Sequence, residues 1–108
     1  LCRQRGYGYW LWKPYLINRT LHESSLREGD ILMYSDCGVI FTKPLDELFY
    51  LAQTDPKGVV TFEQTPWKES GYTKRDAFVL LDADTPEITE TGQRFGSFSI
   101  WRGGAEGK

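Results

Sequence analysis

Between Ile31 and Phe62 the apolar residues change their spacing twice, and this stretch constrains the fold more than any other. Ile31-Leu32-Met33-Tyr34 is a short continuous apolar run of the kind that makes a buried strand. It stops at Ser35-Asp36-Cys37-Gly38, with Val39-Ile40-Phe41 available to extend it. Leu45, Leu48, Phe49 and Ala52 then recur at i, i+3, i+4 and i+7, which is a helical stripe. Pro44 falls in its first turn, and Asp46 and Glu47 suit the positive end of its dipole. Asp55-Pro56-Lys57-Gly58 closes that helix, and Val59-Val60-Thr61-Phe62 reads as a second strand. Strand, helix and strand in this order predict a right-handed crossover between parallel neighbours. The expected class is α/β, a mostly parallel sheet with flanking helices.

The rest of the chain fits around that unit. Residues 1–12 carry neither a helical nor a strand period, and Gly6 and Gly8 suggest an irregular approach. Pro14 fits the first turn of a helix, where its missing N–H costs nothing, and Tyr15, Leu16, Arg19, Thr20 and Leu21 continue it to about Glu23. Ser24 to Asp30 is polar and ends in a Gly29-Asp30 turn. Glu63 to Tyr72 reads as a loop containing Pro66, Trp67 and Gly71. Thr73 and Asp76 resemble a capping box opening a helix through Ala77, Phe78, Leu80 and Leu81. Asp84-Thr85-Pro86-Glu87 either starts a short helix or turns, and Phe95 to Trp101 is β-like with Phe98 and Ile100 on one face. Residues 1–102 are expected to form a single domain and 103–108 a flexible tail.

Composition removes several functions. The chain has 108 residues, 13 Lys and Arg against 15 Asp and Glu, and a formal charge of −2. That length suits one domain, and the mixed charge gives no footprint for nucleic acid. The apolar runs are too short for a membrane span, so a cytoplasmic location is expected. Leu1-Cys2-Arg3-Gln4-Arg5 is neither a signal peptide nor an initiator start, and the chain reads as part of something longer. Cys2 and Cys37 are expected to be reduced and unpaired, and with His22 as the one histidine no zinc site is expected. The single histidine also leaves no Ser/His/Asp or Cys/His arrangement, and there is no P-loop or Gly-x-Gly-x-x-Gly.

Chemistry then rests on few residues. Asp36 directly follows a strand, where α/β sheets bind ligands, and Gly38 permits close backbone approach. A carboxylate there either holds a divalent cation or a ribose hydroxyl, or caps a turn. Asp82-Ala83-Asp84 after Phe78-Val79-Leu80-Leu81 is a competing but weak acidic pair, with the look of a turn opening a helix. Lys13, among Trp10, Trp12 and Pro14 at a helix start, either faces a phosphate or lays its stem on a tryptophan. Lys74 and Arg75 also stand at a helix start, where cations are unfavourable without an anionic ligand or a partner carboxylate. Trp67 and Glu69 sit on a segment able to act as an acceptor lid. Tyr7, Tyr9, Trp10, Trp12 and Tyr15 either fill a core or form a stacking platform for sugars and bases, the core being the simpler reading.

Two longer stretches carry a resemblance. Gly6-Tyr7-Gly8-Tyr9-Trp10-Leu11-Trp12-Lys13-Pro14-Tyr15 and Glu28-Gly29-Asp30-Ile31-Leu32-Met33-Tyr34-Ser35-Asp36-Cys37-Gly38 resemble a family of bacterial and viral glycosyltransferase-like proteins of the GT-A type. Pro44-Leu45-Asp46-Glu47-Leu48, Thr73-Lys74-Arg75-Asp76-Ala77-Phe78, and Gln93 before Ser97-Phe98-Ser99-Ile100 extend the likeness. The resemblance implies transfer of a sugar from a nucleotide-diphosphate donor to a glycan or other alcohol acceptor, as in polysaccharide biosynthesis. It assigns Lys13, Trp12, Asp36, Gly38 and Lys74 to the nucleotide-sugar site, with Asp36 matching the first Asp of a metal motif. Manganese or magnesium would bridge to the diphosphate there as a Lewis acid. The chain departs from the pattern twice. Gly38 stands where the motif has its second carboxylate, leaving Lys13 and Lys74 to supply positive charge, and Leu1 to Arg5 does not provide the nucleotide-binding half of a full GT-A domain. The chain therefore reads as the middle and later parts of that domain. A non-catalytic carbohydrate-binding module and an inactive α/β fragment are the alternatives.

Overall fold

A computed structural model describes residues 10–23 and 25–104. The readings placed on Cys2, Gly6, Tyr7, Gly8 and Tyr9 and on residues 105–108 fall outside the described residues. In chain order the elements are α1 (Trp12–Glu23), β1 (Ile31–Ser35), α2 (Asp46–Thr54), β2 (Val59–Lys68), α3 (Glu69–Tyr72), α4 (Arg75–Leu80), α5 (Pro86–Thr89) and β3 (Gly92–Arg102).

The sheet is not the one expected. It has three strands in the order β1-β3-β2, and β3 runs antiparallel to both neighbours. The mostly parallel sheet is therefore overturned, and with it the parallel core that a GT-A domain implies. The strand–helix–strand unit survives in altered form. β1 and β2 point the same way and α2 connects them, but β3 occupies the gap between them. Ile31 to Phe62 cannot reveal this, because the strand that fills the gap begins some thirty residues later. Its centrality follows from burial: Phe98, Ser99 and Ile100 are all buried, as befits a strand paired on both edges.

Alternation along these strands makes two faces. Ile31 lies opposite Arg102, Met33 and Val60 lie opposite Ile100, and Ser35 lies opposite Phe98. That face receives α2, and its core is Ala52, Phe98 and Ile100, flanked by Ile31, Leu48, Phe49, Val60 and Phe95. The other face carries Tyr34 and Thr61 opposite Ser99, with Trp101 next along, and α1 lies over it. α2 packs closely on the sheet, whereas α1 stands further off.

Local chemistry explains the helix ends. Pro44 precedes α2 rather than entering it, because Leu45 is the residue before the first turn; Asp46 and Glu47 do occupy that turn. At the far end the Arg102 guanidinium donates to the Gln53 and Pro56 carbonyls, satisfying terminal acceptors with a cation favoured by the dipole. The last residue of β3 thus fixes the end of α2.

Other expectations need correction. Residues 63–68 continue β2 rather than forming a loop, through irregular register around Glu63 and Gln64, and Glu69–Tyr72 is a short helix. Val39 to Phe41 does not extend β1. Thr73 does not cap α4; its hydroxyl donates to Glu69 at 2.7 Å. Gly103 is buried, its N–H on the Asp30 carbonyl at 2.8 Å and its carbonyl accepting from Gly29 at 2.9 Å, so the supposed tail starts as an anchored turn.

Candidate functional site

Lys13, the second residue of α1, and Asp36, the first residue after β1, meet on the α1 side of the sheet. The Lys13 ammonium lies 2.8 Å from one Asp36 oxygen and 2.9 Å from the other. The Tyr34 hydroxyl also donates to Asp36, from two residues back on the same strand face. The Asp36 backbone N–H is bound to the Ser97 carbonyl at 2.9 Å, so β3 sets the position of the carboxylate. Beside the ammonium stand the Tyr34 ring, 5.6 Å from its centroid, and the Trp12 ring at 5.9 Å.

These contacts fix the charges. Hydrogen bonds from Lys13 and then Tyr34 hold the Asp36 carboxyl below its usual range, outweighing partial desolvation. Burial opposes the charge on Lys13, yet its bond to Asp36 and the neighbouring charges raise its pKa. Desolvation, then the bond to Asp36, raises the Tyr34 phenol. At neutral pH the site is an ionised pair with a neutral phenol against it.

Two concavities open from this cluster. One, of about 750 Å³, is walled by Trp10, Trp12, Lys13, Tyr34, Asp36, Gly38, Phe95 and Ser97 and has Cys37 at its edge. The second, of about 470 Å³, lies between α1 and the sheet and shares Trp10, Lys13, Tyr34 and Phe95 with the first.

Four of the five residues assigned to the site from sequence, Trp12, Lys13, Asp36 and Gly38, line one cavity. Lys74 lines neither this cavity nor its neighbour; it is the residue preceding α4. Gly38 has open space where a side chain would stand, so the chain itself does not demand glycine there. Trp10, Trp12 and Tyr15 are exposed rather than core-filling, which favours the platform reading for the described part of the aromatic cluster. Cys37 is a free, exposed thiol.

The competing sites resolve into structure. Asp84 takes the Arg75 guanidinium at 3.0 Å, the partner carboxylate that a cation at a helix start requires. The run before Asp82 is helical, not a strand, and Leu80 and Leu81 are exposed. Glu69 binds Thr73 and the Arg94 backbone N–H, joining α3 to β3, while Trp67 stands edge-on to Tyr72 at 6.2 Å. Those contacts make the supposed lid part of the sheet's far end.

A divalent cation at Asp36 fits this arrangement poorly. Lys13 and Tyr34 already engage the carboxylate and would have to yield to the cation, and Gly38 offers no side-chain ligand. No helix among the described residues is long and apolar enough to cross a membrane.

Sequence reasoning missed Tyr34 and Ser97 as site residues. Tyr34 had a signal, since residues two apart on a strand share a face. Ser97 had none, because its place depends on the pairing of β1 with β3. No protein-family model, curated protein or solved structure matches the chain.

Proposed function

We propose that the Lys13–Asp36 cavity receives a nucleotide-diphosphate sugar and that the chain takes part in transferring the sugar to an alcohol. One observation carries this reading: an ammonium and an ionised carboxylate stand together in a ligand-sized cavity walled by Trp10, Trp12, Tyr34 and Phe95. Indole and phenol rings offer flat apolar surfaces to the C–H face of a sugar. A carboxylate accepts hydrogen bonds from sugar hydroxyls, and an ammonium offsets diphosphate charge. In transfer, the acceptor oxygen bonds to the anomeric carbon as the bond from that carbon to the phosphate oxygen breaks. The nucleoside diphosphate leaves, and the hydroxyl proton passes to it or to solvent. Asp36, held well ionised, is a weak base and serves as a positioning residue. With Lys13 already seated on both oxygens of Asp36, the cationic role is assigned to Lys13.

Calorimetric titration of UDP, GDP and their sugars, with and without manganese, tests the reading. Metal-independent binding that is lost in Asp36→Ala and Lys13→Met is expected. Absence of binding by every nucleotide sugar in both conditions overturns it.

The low basicity of Asp36 favours a second reading, a carbohydrate-binding module without turnover. Binding of free glycan in the absence of nucleotide distinguishes that reading.

A further inference from the structure

We propose that the cavity between α1 and the sheet seats the apolar body of the acceptor alcohol; this rests on reading the adjoining Lys13–Asp36 cavity as the sugar-transfer site. The space, about 470 Å³, is of the size small-molecule sites commonly have. Ile17 and Leu21 of α1 form one wall and Phe95 and Trp101 of β3 the other. The opposite face, where α2 packs, keeps a smaller apolar pocket of about 350 Å³ that the Lys13–Asp36 pair does not line.

Its lining is mainly apolar, with Lys13, Asn18 and Thr61, besides Ser99 and Tyr34, as polar members at solvent-accessible positions. The Ser99 hydroxyl accepts from the Trp101 indole N–H at 2.8 Å, and the Tyr34 hydroxyl is committed to Asp36. Among the described residues no buried side-chain nitrogen or oxygen lacks a hydrogen-bond partner. The apolar walls, Ile17, Leu21, Phe95 and Trp101, are the part of the space that favours hydrocarbon over water. Continuity decides what kind of molecule. Trp10, Lys13, Tyr34 and Phe95 border both cavities, so one ligand can reach from the apolar space to the ion pair. A sugar alone mismatches the first, and a hydrocarbon alone leaves the second unused. A hydroxyl on an apolar chain or ring matches both.

The test is titration of the 108-residue chain with 1-butanol, 1-hexanol and 1-octanol, followed at the tryptophan indole N–H resonances. Affinity should rise about fourfold per added methylene until the cavity is filled. Ile17→Trp, which fills the space, should weaken octanol binding at least tenfold in a folded protein; Ile17→Phe provides a milder filling should the larger ring prevent folding. Affinity that does not change with chain length, or equal octanol binding by wild type and the folded filled variant, overturns the proposal. A parallel UDP-sugar titration separates the two readings. Graded alcohol binding without donor binding leaves the apolar site standing and removes the transfer reading. Donor binding with a flat alcohol series does the reverse.

Discussion

Lys13 and Asp36, 23 positions apart in the chain, are joined through both carboxylate oxygens, at 2.8 and 2.9 Å. The pair ties the first turn of α1 to the end of β1 and lines the cavity of about 750 Å³ beside it. This contact fastens the N-terminal end of α1 to the sheet. One ion pair thus docks a helix and presents two opposite charges to the same cavity.

Lys13→Met keeps much of the side-chain length and removes the charge. The Lys13 and Asp36 side chains are 19% and 32% exposed, so solvent screens part of the interaction. A loss of about 1–2 kcal/mol in urea unfolding is expected, between the values for exposed pairs and for charged hydrogen bonds. Nucleotide-sugar affinity should fall in the same variant. Unchanged stability would mean that the pair does not hold α1.

Stability should depend on pH in a definite direction. The Asp36 pKa is depressed by folding, so its contribution is present above the unfolded value of about 3.9 and is lost as pH falls through the folded value. The raised pKa of Lys13 gives a contribution present below about 10.4 and lost as pH rises through the folded value. Between those limits this pair should contribute a plateau. Urea midpoints measured across pH 2 to 5 should fall less steeply in Lys13→Met than in wild type, because the main cause of the Asp36 shift is gone.

Gly38→Ala separates the needs of the chain from those of a ligand. A Cβ at this position meets nothing within 4 Å, so stability should stay within about 0.5 kcal/mol of wild type. The same methyl projects from a residue lining the Lys13–Asp36 cavity, so nucleotide-sugar affinity should drop several-fold. Unaltered affinity would show that the ligand does not approach the backbone here.

The local elements were legible where one short window determined them. Of the stripe, Leu48, Phe49 and Ala52 do face the core while Leu45 stands just before α2, and Pro14 does lie in the first turn of α1. Asp36 and Lys13 were each readable as candidates from position, yet nothing in either segment showed that they bind one another. That contact requires α1 to lie over the sheet beside the end of β1, and Ser97 enters through the pairing of β1 with β3, whereas Tyr34 reaches Asp36 locally from two residues back. Strand order failed for a related reason. Apolar runs reveal that strands exist, but Phe98 and Ile100 compete for the central place only through burial against α2.

Gly103 supplies the last prediction. A Cβ there would stand 2.7 Å from the Arg27 carbonyl oxygen, a backbone atom that cannot swing aside as a side chain would. Moving it disturbs a turn in which the Arg27 carbonyl accepts from Asp30 N–H at 3.1 Å and Gly103 N–H donates to the Asp30 carbonyl at 2.8 Å. That turn leads into β1, and the neighbouring Arg102 holds the end of α2, so strain there reaches both faces of the sheet. Gly103→Ala should therefore cost about 1–3 kcal/mol in denaturant unfolding, the range for overpacking at a tight site. Gly96→Ala, whose Cβ meets nothing within 4 Å, is the matched control and should cost less. Equal losses in the two variants would mean that Gly103 anchors nothing and that the sheet ends freely at Arg102.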